Sequence, residues 1–243
     1  MSFLKPHLIA RSFFVAASLG VTTAIAGCGV DRVIAAQAKP SGLKAVLDQM
    51  DAASAKFRSA EADVRKEQFE KIVSDTTVES GKVYFIRNGN ATQMGAKFDP
   101  PNAQTFEYKN GTLTLYTAST NQLKTYSAGK NQALAQTILA LGFGGSGRDL
   151  DANWKIADQG QEEMSDGSKK VAVEKLDLVS KDESVRNTYT HITIWIDLER
   201  DISLKQVAFA PSGDTDTTSY TNIRLNQPVD TKPFAIKCQG KCS

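Results

Sequence analysis

Histidine is nearly missing from this chain of 243 residues, which holds two, His7 and His191. Cysteine is little commoner, at three. Past the first forty residues His191 is the single imidazole, and it sits in a stretch that reads as a strand. A Ser-His-Asp or Cys-His set therefore has one candidate base and no supporting pattern around it. No H-E-x-x-H, G-x-S-x-G elbow, P-loop or G-x-G-x-x-G occurs. Gly142-Phe143-Gly144-Gly145-Ser146-Gly147 is glycine-rich, but it follows a helical stretch, so no helix N-terminus is expected to point from it at an anion. It reads as a flexible connector. Acidic pairs such as Glu162-Glu163 read as solvated turns. No basic block with interleaved aromatics is present, which removes the usual footprint of a nucleic-acid binder. The expectation is a binding protein and not an enzyme, with no catalytic residue, metal or cofactor.

Long apolar runs are also lacking, with one exception. Ser12 to Ala26 carries no charge and holds Phe13, Phe14, Val15, Leu19, Val21 and Ile25, after a positive start at Lys5 and Arg11. At about fifteen residues it is short for a bilayer span, which needs ~20. A positive start before a short apolar run reads as a signal peptide for export. Two cleavage sites compete. Ile25-Ala26-Gly27-Cys28 resembles a lipobox, which would leave Cys28 acylated; Ala36-Gln37-Ala38 resembles the site of ordinary secretion. The second lies beyond Asp31 and Arg32, so the lipobox is the better fit. Gly29 after the cysteine leans toward the outer membrane. The expected division is residues 1–27 as signal peptide and 28–40 as lipidated cysteine and flexible tether. A folded domain follows over 41–237, with a cysteine-containing tail over 238–243.

All 27 acidic residues lie after Cys28, as do 27 of the 29 basic ones, so the formal net charge of +2 belongs to the signal. Cys238 and Cys242 remain as a pair with Gly240 between them, fit for a small disulfide in an oxidising compartment. Two free thiols or a weak metal site are the alternatives.

Two stretches have helical period. Leu43, Val46, Leu47, Met50, Ala53 and Phe57 fall on one stripe, interrupted only by small Ser54, with Ser41 as a cap. Leu134, Ile138, Leu139 and Leu141 recur between Lys130 and Gly142. Most of the rest reads as antiparallel strands: 62–73, 77–87, 104–108, 112–117, 169–179, 189–197, 202–210 and 217–225. His191 to Asp197 alternates, with three isoleucines on one face and His191, Thr193 and Trp195 on the other. Asn110-Gly111 marks a hairpin, and so does Asp166-Gly167. The predicted class is α+β, mostly antiparallel β: one long curled sheet with two helices on its concave side. Periodicity leaves open whether the apolar positions pack solid or surround a cavity.

Certain stretches carry a likeness beyond composition. They are Gly81-Lys82-Val83-Tyr84-Phe85-Ile86-Arg87, the hairpin Asn110-Gly111-Thr112-Leu113-Thr114-Leu115-Tyr116, the helix Ala133 to Gly142, Thr193 to Asp197 with Gln206-Val207, and Ser219 to Ile223 followed by Phe234. In this order, over roughly Leu43 to Lys237, the chain resembles the LolA/LolB-like outer-membrane lipoprotein carriers. The resemblance implies an incomplete β-barrel, or half-barrel, with a helical lid over an apolar cavity. It also implies non-covalent binding of lipoprotein acyl chains for sorting to the outer membrane, and no chemistry. It places Tyr84, Leu115, Leu134, Ile138, Leu141, Phe143 and Trp195 as cavity and lid residues. Arg87 corresponds to the family's lid latch, with Asn88 where the family has proline. The implied partners are acyl chains of lipoproteins or other lipids, a membrane reached through lipidated Cys28, and an inner-membrane release complex. The implied protein is a monomer in the periplasm, anchored or soluble. A lipoprotein-sensing module on the same fold, or an envelope lipoprotein with a packed core, are the alternatives.

Overall fold

A computed structural model describes residues 42–89, 91–127, 129, 141–240 and 242. The expected signal peptide, Cys28, the tether, Ser41 and most of the expected lid helix, Leu134 and Ile138 included, lie outside the described residues.

The first helix, α1 (Leu43–Lys56), forms on the predicted stripe and buries Val46, Met50 and Ser54. Phe57 stops it by turning extended, while its N–H still reaches the Ser54 carbonyl at 3.2 Å. Six strands follow: β1 (Ser59–Glu70), β2 (Asp75–Asn88), β3 (Ala91–Phe98), β4 (Gln104–Lys109), β5 (Thr112–Thr117) and β6 (Gln122–Ser127). Then come α2 (Gly147–Asn153), β7 (Trp154–Ser165), β8 (Lys170–Ser180), α3 (Glu183–Arg186), β9 (His191–Asp197), β10 (Ile202–Phe209) and β11 (Thr215–Leu225), with a 3₁₀ turn at Lys232–Phe234.

All eleven strands form one antiparallel sheet in the order β6-β5-β4-β3-β2-β1-β11-β10-β9-β8-β7. The first and last strands meet in the middle, and β6 and β7 are the edges. The sheet is a curled half-barrel that does not close, as expected. The β4–β5 turn is built by Asn110 and Gly111, with φ of 51° and 74°, the left-handed pair that suits the twist of a tight hairpin.

Cross-strand register sorts the side chains onto two faces. One face lies under α1. There Ile192, Ile194 and Ile196 join Leu176, Leu178, Val46, Met50, Leu150 and Trp154 in one buried cluster. The predicted alternation of β9 holds, and His191, Thr193 and Trp195 take the other face. A second cluster gathers Phe57, Ala60, Ala62, Val83, Phe85, Phe143 and Tyr220, among others.

The glycine-rich stretch departs from its expectation as a flexible connector. Phe143 is 1 % exposed, and Ser146 caps α2 by accepting the Asp149 N–H at 3.0 Å. The physical reason is close approach: a Cβ at Gly147 would overlap the Leu47 carbonyl, so glycine lets α2 lie against α1. The stretch does precede a helix, but one of only seven residues.

After β11 the chain turns at Asn226, whose N–H donates to the Ser59 carbonyl at 2.7 Å. It then crosses the face turned away from α1. Phe234 meets Tyr84 edge-on at 4.8 Å, and the backbone of Gln239 exchanges two hydrogen bonds with the Asn121 side chain, at 2.9 and 3.0 Å. Cys238 and Cys242 are disulfide-bonded, with Cα atoms 5.4 Å apart.

Candidate functional site

Two apolar rows run across the arm formed by β2 to β6, both on the face under α1. In one, Val83 pairs Ala96, Ala96 pairs Phe106, and Phe106 pairs Leu115. In the other the order is Phe85, Met94, Tyr108, Leu113 and finally Tyr126. Burial declines outward. Val83, Phe85 and Ala96 are buried, Met94, Phe106, Leu113 and Leu115 are half-buried, and Tyr126 is 51 % exposed. Tyr108 is buried with no partner for its hydroxyl. The rows form an apolar wall whose outer part keeps accessible surface.

The inner end of the wall is closed by aromatics. Phe143 packs on Phe85 at 4.9 Å and on Tyr220 at 5.1 Å. Burial pushes the Tyr220 phenol pKa well above its ordinary value, so it stays neutral. Arg87, at the end of β2, ties three segments together. Its guanidinium donates to the Ser54 carbonyl at 2.9 Å and to the Gly144 carbonyl, and lies 5.5 Å from the centre of the Phe57 ring. The Ser54 hydroxyl donates to the same Gly144 carbonyl at 2.7 Å. A cation at the last carbonyls of α1 also complements the helix dipole.

Leu115 stands on the wall, and Arg87 and Phe143 stand at its inner end; Leu141 is buried in the neighbouring cluster with Met50 and Leu150. Tyr84 and Trp195 stand at the alternate positions of their strands, off the wall, although Trp195 belongs to the same buried cluster as Phe143. Tyr84 alternates with Val83 and Phe85, so it projects from the opposite face, where Gly95 leaves room for its ring and Phe234 covers it. Burial, helped by Glu107, raises its pKa. Trp195 alternates with Ile194 and Ile196. It lies between Lys205 and Lys175, at 4.8 and 5.3 Å, and its indole N–H donates to Glu162. Its two lysines cover it with their stems. Met94, Phe106 and Leu113 were not singled out from the sequence. The signal for Leu113 was there: it stands two residues before Leu115 in one strand, hence on the same face.

Among the described residues the part of this face directly beneath α1 and α2 is tightly filled. A cavity there, between Met50, Leu141, Leu150, Trp154 and Ile194, holds about 20 Å³. Larger cavities of about 720 and 230 Å³ lie on the opposite face beside the C-terminal segment. No group of three or more His, Cys, Asp or Glu among the described residues could hold a metal ion. No helix among them is long and apolar enough to cross a membrane.

No family model matches the chain, and no curated protein matches its sequence. Solved structures do resemble it. A LolA superfamily protein from Nitrosomonas europaea is 14 % identical with a TM-score of 0.39, over 81 % of this chain and 99 % of that one. The Mycobacterium tuberculosis lipoprotein LppX is 14 % identical with a TM-score of 0.46, over 77 % and 98 %. The Pseudomonas aeruginosa MucA/MucB complex contains a chain 11 % identical with a TM-score of 0.46, over 82 % and 63 %. The likeness concerns the path of the chain, and no residue is carried across at these identities.

Proposed function

We propose that this protein binds lipid acyl chains without chemistry, on the α1 side of its half-barrel, as a carrier or acceptor of lipoproteins in the bacterial envelope. The observation that carries the reading is the graded apolar wall. Met94, Phe106, Leu113 and Leu115 keep accessible apolar surface on a face whose inner part is buried. Such a wall suits a ligand that offers methylenes and no directional groups, at ~0.8 kcal/mol for each one buried. Release then requires movement of whatever covers the wall. Leu134 and Ile138 are proposed to supply that cover, and Arg87, already bonded to the Gly144 carbonyl, to hold its near end. Acylation at Cys28 and passage to the outer membrane belong to the same proposal. They rest on the apolar run and lipobox-like sequence before Cys28.

The test is uptake of an apolar fluorescent probe by the mature chain and by Ile138→Glu. The expectation is saturable uptake that drops about tenfold in the variant, since a carboxylate in an apolar site is costly, with the circular dichroism of the sheet unchanged. Equal uptake by both proteins removes Ile138 from the site, and no uptake by either removes the site. One observation favours a second reading, an envelope lipoprotein with a solid core. Phe143 and Ile194 are 1 % and 0 % exposed, and the cavity beside Ile194, about 20 Å³, has room for about one water and not for an acyl chain. Absence of uptake is the result that this reading requires.

A further inference from the structure

A sizeable cavity lies on the face that the acyl-binding proposal leaves unused. It holds about 720 Å³, within the ~300–1,000 Å³ common for small-molecule sites. Its floor is the outward face of β1, β2, β3 and β11, and its wall is the C-terminal segment at Asp230, Pro233 and Phe234. The wall is fixed. Phe234 is 5 % exposed and seated on Tyr84, and Gln239 beyond it is held at both backbone groups by Asn121.

Most of the charge lining this cavity is already compensated. Lys82 pairs Asp63 at 2.6 Å, Arg224 pairs Glu61 at 2.7 Å, and Arg65 pairs Glu67. Lys97, Asp99 and Asp230 line the same cavity without an ion-pair partner among the described residues. One carboxylate oxygen of Asp230 accepts the Lys232 N–H at 3.0 Å, which leaves its charge uncompensated. A simple anion would meet two carboxylates here, and a simple cation would meet Lys97. A molecule bearing both charges meets the opposite sign at each end. The hydroxyls of Ser80, Ser219 and Thr221 line the floor as well.

We propose that this cavity is a site for a small zwitterion carrying an ammonium and a phosphate or carboxylate. The ammonium lies toward Asp99 and Asp230, and the anionic group toward Lys97. A phospholipid head group and a short peptide both offer this chemistry. The site is on the opposite face from the apolar wall, so it does not depend on acyl binding.

Titration calorimetry of the mature chain with glycerophosphoethanolamine and with glycylglycine tests the proposal. Saturation below about 10 mM by either one is expected, and which binds tighter identifies the source. Glycerol 3-phosphate and ethanolamine, each with one charged group, are expected to bind more weakly. Lys97→Gln and Asp230→Asn should each weaken binding about fivefold, the scale of a solvent-exposed charge pair. Phe234→Ala, with tryptophan fluorescence as the folding check, should abolish it by removing the wall. Uptake of the apolar probe by Lys97→Gln should be unchanged, so failure here is distinct from failure of the lipid site. No saturation by either zwitterion, or equal binding of the single-charge controls, overturns the assignment.

Discussion

The two arms of the sheet differ in how they treat their apolar face. In the arm from β11 to β7, Leu176, Leu178 and Ile194 are 0 % exposed beneath α1 and α2. In the arm from β2 to β6, the residues at equivalent depth, Met94, Phe106, Leu113 and Leu115, remain half-buried, and β6 is exposed along its whole length. The composition of the two faces is alike; what differs is the cover. On the proposed reading, one sheet serves as core at one end and as a binding surface at the other, with apolar side chains in both places. Stability should therefore be concentrated in one arm and ligand affinity in the other.

The sharpest break of that comparison is a matched pair of truncations. Ile194→Ala empties a fully enclosed site and should cost about 3 kcal/mol in urea unfolding. Leu115→Ala removes a half-buried side chain and should cost about 1 kcal/mol. Probe affinity should rank the other way, with Leu115→Ala the more damaging. If Leu115→Ala is as costly to stability as Ile194→Ala, the outer arm is core and the comparison fails.

A smaller effect is expected where the two arms are joined. Arg87 binds the end of α1 and the Gly144 carbonyl at once. Arg87→Met keeps the stem but leaves those carbonyls short of donors, at a cost of about 2 kcal/mol. Stopped-flow release of bound probe should speed up in this variant, because the tie between the wall and the segment after the expected lid is cut. Unchanged release, with stability lowered, assigns Arg87 a purely structural role.

Much of this was legible in the sequence, and for stated reasons. The stripe of α1, the Asn110-Gly111 turn and the alternation of β9 are local patterns that tertiary structure had no cause to override. β7 was not legible. Its run from Asp158 to Glu163 is polar and exposed, so no period marks it as a strand. β3 breaks its own alternation with Gly95 and Ala96 together, a choice explained only by the Tyr84 ring lying across Gly95. The site residues divide the same way. Leu115 and Arg87 were named through the resemblance, which matches a hairpin and a strand end that the sequence marks locally. Tyr84 and Trp195 were grouped with them through the resemblance, although period 2 sets Tyr84 against Phe85 and Trp195 against Ile194. The path of the C-terminal segment over the outward face had no local signal at all, since it depends on Tyr84 and Asn121, which are distant in the chain.

The filled arm has a weak point at Glu174, and it gives the smallest prediction. Glu174 shares its face with Leu176 and Ile196, is 2 % exposed, and has one carboxylate oxygen without a hydrogen bond. Burial, with Asp158 beside it, raises its pKa above the ordinary 4.5. A raised pKa means that the folded state holds the proton more tightly than the unfolded chain. The stability from this group is thus fully present below about pH 4.5 and is lost as pH rises through the raised value. Away from acid pH its charged form is buried beside Asp158, with the Gln161 side chain only partly offsetting the lost hydration. Glu174→Gln keeps the shape and removes the ionisation, so it should gain about 1 kcal/mol at pH 7.5, roughly 2–4 °C in Tm. The gain should shrink toward zero as both proteins are taken below pH 4.5. A gain that is the same at both pH values traces to hydrogen bonding of the amide, and a loss at pH 7.5 means that the charged carboxylate is satisfied in the folded chain.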